Sequence, residues 1–215
     1  MNKFIRSRQE TGSYCGPCTM QMLLSAIGIS IPQRTIADAY AKHEVVMREG
    51  IPLRGLAKAL RKTVKGVEVW QKYGSTVSDI RMLLEANLAV GFDWQGIFDH
   101  DEYGDETWGF KARLREKWEK FKGIPQLKGD QGHYCIALEV NEKRGYLKFA
   151  DPYGHYAGKD RFVALWEFEE RWWDDRIDCD KKTKTKTYVL EKKLIFVVTK
   201  KGDKRPIKFG MEKVV

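Results

Sequence analysis

A cysteine near the start of the chain stands in a setting that can activate its thiol. Cys15 is followed by Gly16-Pro17, and apolar residues then recur at helical spacing up to Gly28. Proline in the first turn and glycine after the last turn are typical of helix termini, so we expect a helix that begins at this cysteine. A helix N-terminus stabilises a thiolate, which is the nucleophilic form of cysteine. The sequence therefore predicts Cys15 as a nucleophile.

A glutamine precedes this cysteine by six positions. Gly12 lies between Gln9 and Cys15, and the bend that it permits lets the glutamine fold back toward the helix. The Gln9 amide can then donate a hydrogen bond to an oxyanion, together with the backbone N–H of Cys15. We predict that Gln9 completes an oxyanion hole.

A histidine and an aspartate later in the chain can serve this thiol. His133 opens a predicted strand over residues 134–140, and Asp151 directly follows a predicted strand over 146–149. Residues 141–145 are suited to the turn of a hairpin, which would place the two side chains next to each other. The carboxylate would fix the imidazole tautomer, and the other ring nitrogen would take the thiol proton. The sequence thus predicts a Cys-His-Asp triad.

Helical periodicity dominates the first part of the chain, and strand patterns dominate the second. The predicted helices cover residues 16–28, 33–43, 53–62, 77–86 and a Trp-rich stretch at 163–174. The predicted strands cover residues 67–70, 88–94, 134–140, 146–149, 188–190 and 194–199, the last two as a closing hairpin. Helices followed by an antiparallel sheet indicate an α+β architecture, in which the first helix packs on the sheet.

Two segments differ from this pattern. Residues 95–131 combine an acidic, aromatic stretch with an amphipathic one, and we predict an insertion that acts as a lid or substrate-selecting wall. The formal charge of +9 comes from 39 basic and 30 acidic residues, and residues 181–215 hold 12 and 3 of these, so the rest of the chain is balanced. We predict a catalytic domain over residues 1–199 and a basic tail over 200–215, without a nucleic-acid partner.

The compartment follows from what the sequence lacks. It has no apolar run of about 18 residues and no apolar stretch near its N-terminus that would serve as a signal peptide. Its four cysteines are too few for a disulfide scaffold. We therefore predict a cytoplasmic protein with reduced thiols and no membrane partner.

The motifs together resemble a known family. A Gln six residues before a Cys-Gly-Pro turn, a Gly-His that opens one strand and an Asp-Pro that closes the next are similar to the bacteriocin-processing, double-glycine leader peptidases and their stand-alone relatives. This family belongs to the papain-like cysteine peptidase superfamily. The likeness extends to Gly50-Ile51-Pro52 and to residues 78–84 and 167–172, and covers about residues 7–175.

The resemblance implies a papain-like fold with N-terminal helices packed on an antiparallel β-sheet. It assigns the oxyanion, nucleophile, base and orienting roles to Gln9, Cys15, His133 and Asp151, with no cofactor. The expected activity is hydrolysis of a peptide or related amide bond in a peptide or protein substrate. Acyl transfer on the same triad is an alternative.

Two further alternatives do not use a nucleophile. Cys15 and Cys18, with His133 and Cys135, have ligand types that zinc prefers and would form a metal site. A catalytically silent interaction domain is also compatible with the sequence. Its contact surface would be the tryptophans of the late aromatic stretch, namely Trp166, Trp172 and Trp173.

Overall fold

The computed structural model describes residues 4–97, 130–179 and 186–215. The helices are α1 (Cys15–Ser25), α2 (Gln33–Tyr40), α3 (His43–Glu49), α4 (Leu53–Thr63), α5 (Val77–Glu85), α6 (Leu165–Arg171) and α7 (Arg205–Lys208). The strands are β1 (Val67–Lys72), β2 (Val90–Ile97), β3 (Asp130–Asn141), β4 (Tyr146–Ala150), β5 (Asp160–Ala164), β6 (Trp173–Cys179), β7 (Lys186–Lys192), β8 (Ile195–Lys200) and β9 (Glu212–Lys213). Within the described residues, no helix is both long enough and apolar enough to cross a membrane.

The strands form one large and one small antiparallel sheet. The large sheet has seven strands in the order β5-β4-β3-β2-β8-β1-β9, and the small sheet pairs β6 with β7. Four helices precede the first strand in the chain, and α1 packs on β3. The predicted α+β architecture, with N-terminal helices on an antiparallel sheet, is confirmed.

Alternation along the strands separates two hydrophobic cores. On β3, Tyr134 and Ile136 join α1, α2 and α4 in the first core, whereas Cys135 and Ala137 face the second. The second core is mainly aromatic and is built around Phe92, Trp94, Phe149, Phe168 and Trp172. Because side chains alternate with a period of two, adjacent residues on β3 belong to different cores.

Helix α1 begins where the sequence predicts. Cys15 is its first residue, Pro17 lies in the first turn, and Gly28 follows the end with a φ of +81°. Met20 and Leu23 are fully buried against the sheet. The second predicted helix is shorter than expected, because Ala41 adopts an extended backbone and the separate helix α3 follows.

The predicted helix over residues 163–174 is wrong at both ends. Val163 belongs to β5, which pairs with β4, and Trp173 begins β6. Helix α6 ends at Arg171 because Trp172 leaves the helical region and donates its indole N–H to the Leu194 carbonyl at 3.1 Å. Burial of this indole in the second core outweighs the local helical pattern.

The predicted closing hairpin is also wrong. Strand β7 pairs with β6, whereas β8 lies between β1 and β2 in the large sheet. Lys193 separates them with a φ of +53° and donates its backbone N–H to Trp172 at 2.9 Å. Ile195 and Val197 are fully buried, so β8 gains more burial at the centre of the large sheet than beside β7.

Residues after position 200 pack on the large sheet. Strand β9 pairs with β1, the Val214 N–H donates to Val69 O at 2.9 Å, and Arg61 donates to Val214 O at 2.9 Å. The division into residues 1–199 and 200–215 stays a prediction, and these contacts argue for one continuous unit. Most of the predicted insertion, residues 98–129, lies outside the described residues, so its role as a lid also stays a prediction.

Candidate active site

His133 and Asp151 form a buried hydrogen-bonded pair. His133 lies on β3, and Asp151 directly follows the neighbouring strand β4. The His133 Nε2 atom lies 2.7 Å from Asp151 Oδ1, and the backbone N–H of Tyr153 donates to the same oxygen at 2.8 Å. An ionised carboxylate only accepts hydrogen bonds, so Nε2 carries the hydrogen and Nδ1 is the basic nitrogen of the neutral ring. The structure thus brings together the predicted base and its orienting acid.

Asp151 is held in its ionised form. Burial raises the pKa of this carboxyl, but the charge of His133, the hydrogen bond from His133 and the charge of Arg161 outweigh burial and keep the pKa below its ordinary value. Arg161 Nη1 lies 2.6 Å from Asp151 Oδ2. Both carboxylate oxygens are therefore bound by donors.

The imidazole of His133 takes up a proton more readily than an exposed histidine. Burial lowers its pKa, but Cys135 and Asp151 raise it, and the net pKa lies well above the ordinary value. Burial raises the pKa of the Cys135 thiol to about 12, so this thiol is neutral near pH 7. At that pH, the Asp151 carboxylate is therefore the group that stabilises an imidazolium at His133.

Cys15 lies at the corner where α1 meets the beginning of β3. Thr19, one turn further along the helix, donates its hydroxyl to the Tyr134 carbonyl at 3.0 Å, and a Cβ on Gly16 would lie 3.3 Å from the Tyr134 ring. Tyr134 directly follows His133 in the chain. Both Cys15 and His133 act on the Cys18 thiol of α1. Burial and Cys15 raise the pKa of this thiol, whereas His133 lowers it. Cys15 itself is half-buried.

A second thiol at this site was not predicted as part of the triad. Cys135 lies two residues after His133 on the same face of β3, hydrogen-bonds the ring, and is fully buried. Its Sγ, a ring nitrogen of His133 and an oxygen of Asp151 lie within 4.8 Å of one another. The compact Cys-His-Asp cluster in the described residues therefore contains Cys135 rather than Cys15. The period of two along a strand was the signal that could have revealed it.

The residues that could bind a metal ion differ from those predicted for the zinc alternative. In the described part of the chain, His133, Cys135 and Asp151 are the group that could hold a metal ion, and neither Cys15 nor Cys18 belongs to it. The cationic Arg161 already binds Asp151, and Cys135 would have to lose its proton in a buried site. Both features oppose cation binding.

Gln9 is buried beside the segment that follows Asp151. Its backbone N–H donates to the Pro152 carbonyl at 2.9 Å, which joins the N-terminal segment to the end of β4. Its side-chain nitrogen donates to Thr11 O at 2.8 Å and to Gly12 O at 3.0 Å. The amide thus supports the bend that leads to Cys15, and its oxyanion role stays a prediction.

Two carboxyl groups that act on Tyr134, the residue after His133, were missed from the sequence. Asp93 lies on β2 opposite Tyr134 and is 2% exposed. Asp174 lies on β6 and accepts a hydrogen bond from Gln95 at 3.1 Å. Burial, Asp174 and Cys15, in this order, raise the pKa of Asp93 well above its ordinary value. Asp174 lay in a predicted helix, so no local signal linked it to Asp93.

Comparison with known families identifies the fold and its relatives. A family model described as the Peptidase_C39 like family matches residues 1–176. The chain belongs to the Peptidase_C39-like family. This confirms the resemblance inferred from the Gln, Cys-Gly-Pro, Gly-His and Asp-Pro motifs. A search of curated proteins found no match.

A solved structure supports the C39-like fold. The crystal structure of the peptidase domain of Streptococcus ComA, described as a bi-functional ABC transporter involved in a quorum-sensing pathway, is similar with a TM-score of 0.50 and 12% sequence identity. The match covers 93% of this chain and 100% of that domain. At this identity the likeness concerns the fold, and it agrees with the helices and antiparallel sheet of this C39-like chain.

Proposed function

We propose that this chain is a cysteine peptidase that cleaves a peptide or related amide bond with Cys15, His133 and Asp151. The observation that carries the proposal is the buried hydrogen bond from His133 Nε2 to Asp151 Oδ1, 2.7 Å long, in a pair whose charges act on Cys18 of the helix that begins at Cys15. Family membership and the C39-like fold support the same reaction class.

The reaction proceeds through a thioester. His133 Nδ1 takes the thiol proton, the Cys15 sulfur attacks the carbonyl carbon, and the C–N bond breaks as the leaving amine receives that proton. Water then attacks the thioester carbonyl and gives a proton to His133, and the sulfur leaves as the acid product forms. Transfer to an amine instead of water would use the same acyl-enzyme.

Cys15 is a better nucleophile than the second thiol near His133. Cys15 is half-buried and stands at a helix N-terminus, so a substrate carbonyl can approach it. Cys135 is fully buried, and its pKa of about 12 keeps the thiol protonated. A buried neutral thiol attacks carbonyl groups poorly.

The alternative of a silent interaction domain loses part of its predicted surface. Trp172 is 1% exposed within the second core, whereas Trp166 is 65% exposed. These tryptophans therefore do not share one exposed face. The mechanism remains the better explanation of the buried His133–Asp151 pair, because an isolated binding surface does not require it.

Thiol labelling tests the nucleophile. The wild type and the variants Cys15→Ala, Cys135→Ala and His133→Ala would be treated with iodoacetamide at neutral pH, and the modified residues mapped by mass spectrometry. We expect Cys15 to be labelled rapidly in the wild type and in Cys135→Ala, and slowly in His133→Ala. In Cys15→Ala, no residue should be labelled rapidly. Rapid labelling that persists in Cys15→Ala would refute the assignment.

Cleavage of a mixed peptide library tests the activity itself. Peptides from a digested proteome would be incubated with the wild type and Cys15→Ala, and new termini identified by mass spectrometry. We expect new termini with the wild type alone. A wild type that is labelled rapidly at Cys15 but yields no new termini would favour acyl transfer or a silent domain over hydrolysis.

A further inference from the structure

Arg161 binds the side of Asp151 that His133 leaves open. It lies on β5 opposite Phe149 of β4, and its Nη1 lies 2.6 Å from Asp151 Oδ2. The Arg161 side chain is 15% exposed and that of Asp151 is fully buried. Removing one partner from a buried ion pair leaves an uncompensated buried charge. This lowers the free energy of unfolding far more than the loss of an exposed ion pair does.

Aromatic rings fix the guanidinium in this position. The Arg161 Cζ atom lies 3.9 Å from the centroid of the Tyr156 ring, 5.6 Å from that of Phe149 and 5.8 Å from that of Trp94. A planar guanidinium within about 6 Å of a ring face is attracted by its quadrupole. Tyr156 belongs to the short 3₁₀ turn Gly154–Tyr156 that follows Asp151, so the same loop carries the acid and one wall of the arginine's cage.

We propose that Arg161 is a positioning residue of the active site, which fixes the Asp151 carboxylate so that its Oδ1 faces His133. This inference rests on the proposed function. Three donors divide the carboxylate: His133 and the Tyr153 N–H bind Oδ1, and Arg161 binds Oδ2. Without Arg161, a buried carboxyl would gain by taking a proton or by rotating. A protonated acid that donates to the ring would select the wrong imidazole tautomer.

The charges around Asp151 set the sign of the pH dependence. Among the described residues, the titratable groups that act on it or are acted on by it include His133 and Cys135 on β3, Arg161 on β5 and Cys18 on α1. The two cations favour the carboxylate, and the two thiols are held in their neutral form by burial. Removing Arg161 must therefore make Asp151 easier to protonate, and the acidic limit of activity must move to higher pH.

The test measures the rate of Cys15 alkylation by iodoacetamide against pH, which needs no known substrate. The variants are Arg161→Gln, which removes the charge, and Arg161→Lys, which keeps it without the planar fork. Arg6→Gln is the matched control, because Arg6 binds Asp160, the neighbour of Arg161, in a partly exposed ion pair. Circular dichroism would verify that each variant is folded.

In Arg161→Gln, we expect the neutral-pH alkylation rate to fall about tenfold to a hundredfold, the range seen when a residue that orients a metal-binding side chain is removed. The pH at which the alkylation rate falls on the acidic side of the profile, here called the acidic limb, should rise by about one unit or more. This is the usual effect of removing a cation beside a carboxylate. Arg161→Lys should return the acidic limb most of the way to its wild-type pH but should recover only part of the neutral-pH rate. Arg6→Gln should match the wild type in both. A folded Arg161→Gln with a wild-type rate and limb would overturn the proposal.

If Arg161→Gln does not fold, Arg161→Lys decides the question. A Lys variant with both the rate and the limb of the wild type would reduce Arg161 to a structural role and overturn the proposal, whereas a lower rate supports it. Failure of the proposed function is a separate result. It would appear as absent rapid labelling of wild-type Cys15, or labelling that does not depend on His133, before any Arg161 variant is compared.

Discussion

His133 donates a hydrogen bond from Nε2 to Oδ1 of Asp151 across 2.7 Å, although 18 residues separate them in the chain. The hairpin of β3 and β4 makes this contact, because His133 begins the buried part of one strand and Asp151 directly follows the other. The two side chains are 3% and 0% exposed, so water does not compete for the bond. The pair is therefore preorganised to orient the imidazole.

Removing the acid should disable the site. Asp151→Ala leaves His133 and Arg161 as buried donors without their acceptor, and we expect peptide cleavage and rapid Cys15 alkylation to fall about 10³-fold or more. Asp151→Asn should lose a similar amount, because its one amide oxygen cannot accept from both His133 and Arg161, and an NH2 group turned toward the ring would select the wrong tautomer. Asp160→Ala removes a partly exposed carboxylate at the beginning of β5 and should stay close to the wild type. An Asp151→Ala variant as active as Asp160→Ala would contradict the orienting role.

The buried carboxyl of Asp93 should make stability depend on pH. Its folded-state pKa is raised by burial, Asp174 and Cys15, so the folded protein keeps a proton that the unfolded chain releases above its ordinary pKa. The free energy of unfolding is reduced as pH rises from about 4, and Asp93→Asn removes this loss. We expect Asp93→Asn to be more stable than the wild type by about 1 kcal/mol or more at pH 7, and the gain to vanish near pH 3.5.

Urea unfolding at both pH values measures this difference. Asp203→Asn is a control of opposite sign, because a hydrogen bond from Arg205 lowers the pKa of Asp203. That variant should be slightly less stable at pH 7, and its loss should shrink as pH falls through the depressed pKa. A stability gain of Asp93→Asn that is equal at both pH values would show that the carboxyl does not hold a proton.

Local signals were sufficient for half of the candidate site. Pro17 and the helical spacing behind it predicted that α1 begins at Cys15, and turn residues between two apolar strands predicted the hairpin that carries His133 and Asp151. Each of these features depends on residues close together in the chain. Sequence alone could therefore predict which elements carry the candidate residues Cys15, His133 and Asp151 and the order in which these elements follow.

Contacts between distant residues were not predictable in this way. The position of β8 depends on burial of Ile195 and Val197 between two strands from earlier in the chain. Asp174 reaches Asp93 because β6 packs on β2, and the local pattern around Asp174 favoured a helix. Arg161 had no sequence signal either, since its partner became apparent only from the pairing of β5 with β4. Tertiary burial decided each case.

Gly91 is a test of close packing between the central strands. It lies on β2 opposite Phe196 of β8, and a Cβ at this position would overlap the Phe196 ring. Because both residues are fully surrounded, we expect Gly91→Ala to lower the free energy of unfolding by about 1–3 kcal/mol. Urea unfolding of Gly91→Ala, Phe196→Leu and the double variant would measure it. The smaller Leu should relieve the overlap, so additive losses would contradict this contact.

The proposed oxyanion role of Gln9 can be separated from its support of the bend before Cys15. If its amide turns from Thr11 O and Gly12 O toward the developing oxyanion, Gln9→Ala should lower kcat for peptide cleavage about 10²-fold or more. Alkylation by iodoacetamide forms no oxyanion, so its rate at Cys15 should change by no more than about threefold. Comparing peptide cleavage with alkylation at Cys15 therefore distinguishes two roles of Gln9. One is to stabilise the transition state, and the other is to support the bend before Cys15.

Gln33→Ala is the matched control for this experiment. Gln33 is also buried and holds the same segment, since its side chain donates to Arg8 O at 2.8 Å and accepts from the Glu10 N–H at 3.1 Å. It supports the bend without a predicted catalytic role, so its loss should lower both rates to a similar extent. Should Gln9→Ala also lower cleavage and alkylation equally, Gln9 would be a support of the bend, and the oxyanion would rely on the Cys15 N–H without this amide.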